Sequence, residues 1–296
     1  MTSTEVRTTS FTEMQALAMR LVTQAESLAA LVGRLKLDAA GEPGDPEVTA
    51  QLDRVVNLIG ATDLCTDLEE RERATVIGHA TTMLRQAIDL IDDPVRPGGW
   101  YYIDPQILQG QGASSAIIAQ LIAGAGIGGH DARILDIGTG VGALAVAFCR
   151  TFPGSTVVGI DTWELSLELA RQHVAAAGLG SRITLRATPI DAFEDDDGFD
   201  LVWMPVIFLS RVILEDAVAH AVAAMRPGAQ IVLGRYASPD DPVAGALGDL
   251  RTIRSGGTLL NGSDTRALLE RAGLVDVHEV DRTWLAPIEL TAGLRR

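Results

Sequence analysis

Arg133-Ile-Leu-Asp-Ile-Gly-Thr-Gly-Val-Gly-Ala-Leu-Ala-Val-Ala-Phe-Cys149 is an apolar run that breaks into glycines and resumes with helical spacing. It reads as strand, tight turn, helix. Ile134, Leu135 and Ile137 suit a buried strand, and Leu144, Ala145 and Phe148 recur at the spacing of a helix face. Gly138, Gly140 and Gly142 lie between. Glycine lets the backbone turn sharply and lets a ligand approach without meeting a Cβ, while the helix N-terminus beyond offers unpaired N–H groups to an anionic group. A nucleotide-like ligand is expected across this turn.

Thr156-Val-Val-Gly-Ile-Asp161 is a second apolar strand ending in a carboxylate. It comes about twenty residues after the glycines, where dinucleotide-binding folds hold a ribose diol. Two ligand-facing features therefore stand at strand ends. Asp136, ahead of the first glycine, separates the possible ligands.

The run Asp136-Ile-Gly-Thr-Gly-Val-Gly142 resembles the first motif of the class I S-adenosylmethionine (SAM)-dependent methyltransferases, an acidic residue, any residue, then Gly-x-Gly-x-Gly. Nicotinamide enzymes want Gly-x-Gly-x-x-Gly, and here the last position is Ala143, a weaker variant. The resemblance runs from about residue 101 to the last residue. It implies an α/β fold, a doubly wound Rossmann-like methyltransferase sheet, with Asp136 ordering the loop near the amino group of SAM and Asp161 on its ribose hydroxyls. It also implies an adenine contact next to that acid, at Thr162 and Trp163, and a second at the adenine edge after the third strand. For that second contact the family has Gly-Asp directly after the strand, whereas this chain has Ala187-Thr188 with Asp191 three residues later. Thr188 and Asp191 both stay open for it. Gln109 and Gln111, ahead of the glycine motif, fall where the family closes over the methionine end, and Met204, at the end of the fourth strand, is a further cofactor candidate.

Composition bounds the function. The 296 residues allow two modest domains, and the formal net charge of −15 argues against nucleic acid or an anionic membrane as partner. Cys65 and Cys149 have no ligand spacing around them, so buried thiols are expected, with no metal site. Residues 1–10 are polar, with no apolar signal core, and no stretch reaches the ~18 apolar residues of a membrane span. A cytoplasmic protein is the expectation.

The first ninety or so residues read as all-helical. Leu17, Leu21, Leu28, Leu31 and Leu35 set a helix over 11–37 with Ser10 as N-cap; a second runs over 46–59 and a third over 64–91. Asp92-Asp-Pro-Val-Arg-Pro-Gly-Gly99 is the strongest linker. The expected domains are 1–97, a helical lid or dimerisation module, and 98–296, the SAM-binding domain, with the chain a homodimer. A helix is expected over 113–125. Further strands are read at 182–187, 199–205, 230–234 and 274–280, with helices between them and the whole sheet parallel. The acidic loop Glu194-Asp-Asp-Asp197 is read as solvated, and no element is assigned between residues 234 and 264.

Methyl transfer from a sulfonium is an in-line displacement that alignment and exclusion of water can accelerate, so no catalytic residue is obligatory. Related O-methyltransferases carry a histidine shortly after the fourth strand; here that place holds Phe208-Leu209. His79 and His220 are read as structural or surface residues. Trp100, Tyr101 and Tyr102, before the fold, and Trp203, Met204, Pro205 and Phe208, after the fourth strand, are expected to face one acceptor pocket, with Tyr101, Tyr102 and Phe208 as substrate contacts. Such rings favour a small apolar or aromatic acceptor methylated on oxygen or nitrogen. The alternatives are an NAD(P)-dependent oxidoreductase, for which no Ser/Tyr-x-x-x-Lys arrangement is found, and a noncatalytic SAM-binding partner.

Overall fold

The computed structural model describes residues 3–41, 43–237 and 240–296, with the side chains of 3–9 and of Arg71 excepted. The chain divides into two compact units, Met1–Asp92 and Asp93–Arg296.

The first unit is helical: α1 (Ser3–Ala40), α2 (Pro46–Leu58), α3 (Thr62–Asp67) and α4 (Glu70–Asp92). The expected fraying of residues 1–10 and the Ser10 cap do not hold for the described residues, because α1 already runs through Ser10; Met1 and Thr2 lie outside them. Helix α2 begins at Pro46 because Asp45 accepts the N–H groups of Glu47 and Val48, two of the donors a helix start leaves open. Its apolar side, with Val56, meets Leu35, Ala61 and Cys65 in a small core. The single third helix expected from the sequence is split, because Leu68 adopts an extended conformation between α3 and α4.

The second unit begins with α5 (Pro105–Ser115) and α6 (Ile118–Gly124), and then alternates β1 (Arg133–Ile137), α7 (Ala143–Thr151), β2 (Thr156–Asp161), α8 (Glu164–Ala176), β3 (Ile183–Ala187), β4 (Phe199–Pro205), α9 (Arg211–Ala223) and β5 (Met225–Tyr236). It closes with α10 (Pro242–Arg254), α11 (Gly262–Arg271), β6 (Val275–Glu279) and β7 (Ile288–Leu294). Helix α5 starts well before the expected residue 113, since Asp104 caps it ahead of Pro105.

Among the described residues the sheet has seven strands in the order β3-β2-β1-β4-β5-β7-β6. Strands β1 to β5 pair in parallel, as expected. The far edge corrects the all-parallel reading: β7, unassigned in the sequence, runs antiparallel between β5 and β6. Successive strand residues point to opposite faces, which makes two cores. Leu135, Val158, Val202, Met204 and Ile231 pack on one side with Leu214 and Ala217 of α9; Ile134, Val157, Leu201, Trp203 and Val232 pack on the other with Ile122 of α6 and Phe148 of α7.

The acidic loop is exposed at Glu194, Asp196 and Asp197, as expected, and Asp195 is the exception. Asp195 is buried at its side chain and takes both guanidinium nitrogens of Arg133, at 2.8 and 2.9 Å, with Arg186 at 3.2 Å. The Arg133 guanidinium also stands 4.2 Å from the centre of the Phe199 ring. This carboxylate therefore ties the start of β1 and Arg186 of β3 to the loop that leads into β4.

Candidate functional site

The chain winds from β1 outward to β2 and β3, then crosses back to β4, so the order reverses beside β1 and a crevice opens at the strand C-termini. The glycine turn fills that place. Gly138, Gly140 and Gly142 have φ of 70°, 55° and 73°, in the left-handed region that favours glycine. Gly138 and Thr139 both donate their N–H to Ile160 O, at 2.9 and 3.0 Å, which folds the turn over the end of β2.

Two carboxylates stand in this turn. Asp161 accepts from Gly140 N at 2.8 Å through one oxygen and from Trp163 N at 2.8 Å through the other. Burial raises its pKa above the ordinary value, and the N–H groups of Trp163, Gly140 and Thr162 oppose that shift. Asp136 is 0 % exposed, and burial pushes its carboxyl up to about 7, with the Thr139 hydroxyl favouring ionisation and the Asp161 charge opposing it. Its Oδ2 accepts from Thr139 Oγ1 at 2.7 Å, while Oδ1 is buried without a hydrogen-bond partner. A buried carboxylate oxygen left open costs free energy unless a donor reaches it. A ligand carrying N–H groups fits that need.

The segment before the fold lies against this turn. Tyr102 is buried with Ile107, Leu108, Val141 and Ala143, and its carbonyl accepts from the Trp163 indole at 3.2 Å. A Cβ on Gly112 would come within 2.3 Å of Val141 Cγ2, so α5 approaches the turn closely only because that residue is glycine. Gln109 is exposed on α5, and Gln111 is half-buried.

Trp100 meets Tyr102 and Phe208 edge-on, with ring centres 5.0 and 5.1 Å apart. Tyr101 is exposed, and the Arg96 guanidinium covers both tyrosine rings, at 5.4 and 5.5 Å. The sequence reading missed what clips this segment in place: Gly99 N donates to Arg254 O, and the Arg254 guanidinium donates to the carbonyls of Asp93 and Arg96.

The structure thus brings Asp136, the three glycines, Asp161, Thr162 and Trp163 together, and sets Trp100, Tyr102 and Phe208 in one ring cluster. Thr188 is half-buried just past β3, and Asp191 is exposed in the following 3-10 turn. Met204 and Trp203 depart from the expectation. Both are core residues on opposite faces of β4, and Val206 and Ile207 after them are buried too, so Phe208 is the side chain of this stretch that joins the rings. His220 is exposed on α9, with Nδ1 2.8 Å from Asp216 O. His79 lies in the first unit, on α4. Thr139 and Gly159 were not singled out in the sequence: a Cβ on Gly159 would stand 2.7 Å from Thr139 Oγ1, so the bare position on β2 is what lets the Thr139 hydroxyl sit beside Asp136.

A doubly wound sheet with an acidic, glycine-rich turn at its switch point defines a nucleotide-type ligand site. Comparison with known proteins narrows it. Residues 134–228 match the family described as "Methyltransferase domain". The chain is 29% identical over 220 residues to "Methyltransferase GfsG" of Streptomyces halstedii, covering 70% of this chain and 74% of that one. The fold is shared with human N-acetylserotonin methyltransferase in complex with SAM, at TM-score 0.66 and 14% identity, covering 95% and 97% of the two chains. It is shared likewise with the mitomycin 7-O-methyltransferase MmcR, at TM-score 0.63 and 17% identity, covering 98% and 100%. Residues 134–228 carry a methyltransferase domain, and the chain has the fold of SAM-dependent methyltransferases. Nothing in these findings supports the nicotinamide alternative.

Proposed function

We infer that this methyltransferase holds SAM with the Asp136–Gly142 turn and Asp161, and passes its methyl group to a small aromatic acceptor that is already nucleophilic, a phenol or enol before an amine. When bound, the cofactor supplies an electrophilic sulfonium methyl group. Asp161 stands at the end of β2 for the ribose hydroxyls, and Thr162 and Trp163 follow at the adenine. Thr188 and Asp191, one strand further out, are the two candidates for the adenine edge. Met204 contributes to this reading only through its backbone, since its side chain is taken up by the core.

The observation that carries the acceptor reading is the cluster of Trp100, Tyr102 and Phe208 beyond β4. Flat apolar rings select a flat apolar molecule and exclude water from an in-line displacement. Phe208 also stands where related enzymes place a histidine, which leaves deprotonation to the acceptor itself. The mitomycin 7-O-methyltransferase, whose fold is shared, is by its name an enzyme acting on oxygen of a small molecule, in keeping with this reading. The first unit, with Phe11, Met14, Leu17 and Leu21 exposed along α1, is read as the dimerisation module of a homodimer.

Turnover of phenols of graded acidity tests the acceptor reading. The rate is expected to follow the ionised fraction of each phenol as pH rises, and H79A and H220A are expected to leave it unchanged. A common titration near neutrality for every phenol, or loss of turnover in either variant while SAM still binds, would contradict it.

A further inference from the structure

Asp136 is a familiar kind of residue for this site; what holds it is particular to the surrounding packing. Its side chain lies between Gly159 on β2 and Trp203 on β4, its partners in register, neither of which carries a charge. Its one hydrogen bond comes from Thr139 Oγ1, itself 6% exposed, and its second oxygen is buried with no protein donor. Thr139 can make that bond because Gly159 leaves the space a Cβ would take. The same residue is fixed at its backbone, donating to Ile160 O and accepting from Gly142 N at 2.9 Å.

We propose that Thr139 is a positioning residue for the cofactor: its hydroxyl occupies one oxygen of Asp136 and so reserves the other for the ammonium at the amino-acid end of SAM. This rests on the reading that SAM lies across the 136–142 turn. The cofactor offers that turn two kinds of donor, and Asp161 stands for the ribose hydroxyls, so the ammonium remains for the buried oxygen. A cation there favours the ionised carboxylate, as does the Thr139 hydroxyl, whereas burial and the Asp161 charge oppose it. Cofactor binding and ionisation of Asp136 are therefore linked. The other titratable group at the turn is His173 of α8, with Nδ1 3.3 Å from Val141 O; α5 carries no ionisable side chain.

The test is calorimetric titration of the full chain with S-adenosylhomocysteine, which keeps the ammonium, from about pH 5.5 to about pH 8.5. Wild-type affinity should rise as pH passes through about 7. T139V, which keeps the shape and removes the donor, should shift that rise to higher pH, losing roughly ten-fold at neutrality and regaining most of it in alkaline buffer. T139S should restore the wild-type midpoint, and H173Q should not move it. G159A, whose methyl group would displace the hydroxyl, should shift the midpoint in the same direction as T139V, and so serves if T139V fails to fold. A T139V protein that loses the same factor at every pH, or loses nothing, overturns the proposal, as does a T139S protein no better than T139V. If D136N and D161A both bind as tightly as wild type, the placement of the cofactor is itself wrong and the inference falls with it.

Discussion

Asp161 and Asp136 do different work although they share a turn. Asp161 is already satisfied by Gly140 N and Trp163 N, so it both shapes the turn and keeps lone pairs for hydroxyl donors. D161A should weaken SAM binding by roughly 1.5–3 kcal/mol, the range for hydrogen bonds to a charged acceptor; unchanged affinity by calorimetry would remove it from the site. Asp136 acts on stability as well. Its folded pKa, pushed up to about 7, lies above the ordinary carboxylate value, so its contribution is fully present in acid and is lost as pH rises through that point. In the absence of cofactor, D136N should therefore gain melting temperature relative to wild type between about pH 5 and pH 8. A constant difference across that span would show that ionisation of Asp136 is not what costs stability. The glycines and Asp161 were legible in the sequence because a left-handed turn and a ribose contact each demand a residue type at a set spacing, and Asp136 through the resemblance of its motif. Thr139 and Gly159 were not, since their partnership crosses from one strand to the next and has no periodic trace.

Elements were legible where one period dominated. Strands β1, β2 and β4 are buried on both faces and read as mainly apolar runs, with Asp136 and Asp200 the charged residues inside them. Strand β7 hid because small residues do its packing: Gly293 leaves room for Leu274, and Thr291 shares a hydrogen bond with Thr265 of α11. Helix α10 hid behind Gly245 and Gly248, although Asp241 before Pro242 is a start signal that the structure uses, donating groups being Val243 N and Ala244 N. A run of like charges ordinarily faces water, as Glu194, Asp196 and Asp197 do; Asp195 is drawn in by two arginines on separate strands. Its pKa is held below the ordinary value, chiefly by the Arg133 hydrogen bond, so its stabilisation is present at neutral pH and lost as pH falls through the folded value. D195N should accordingly destabilise the fold at pH 7 by roughly 1–3 kcal/mol, between an exposed and a buried pair. Urea unfolding checks this; equal midpoints for D195N and wild type at pH 7 would mean the pair contributes nothing.

At the scale of the whole molecule, the helical first unit and the sheet-bearing second unit carry separate parts of the account. Leu31 and Leu35 of α1 pack in the small core, while Phe11, Met14, Leu17 and Leu21 stay exposed, more apolar surface than a closed module presents. Sedimentation should therefore find a dimer at micromolar concentration, and a monomer would count against the interface. That half of the reading was legible only as amphipathic pattern, because what covers an exposed face is not written in its period. That the 136–142 turn of the second unit holds SAM rather than a nicotinamide cofactor follows from its acid and its three glycines. Calorimetric titration of the full chain with S-adenosylhomocysteine, run beside NAD under the same conditions, tests it most directly. Saturable binding of S-adenosylhomocysteine with none of NAD is the predicted result, and binding of NAD without S-adenosylhomocysteine would contradict the account.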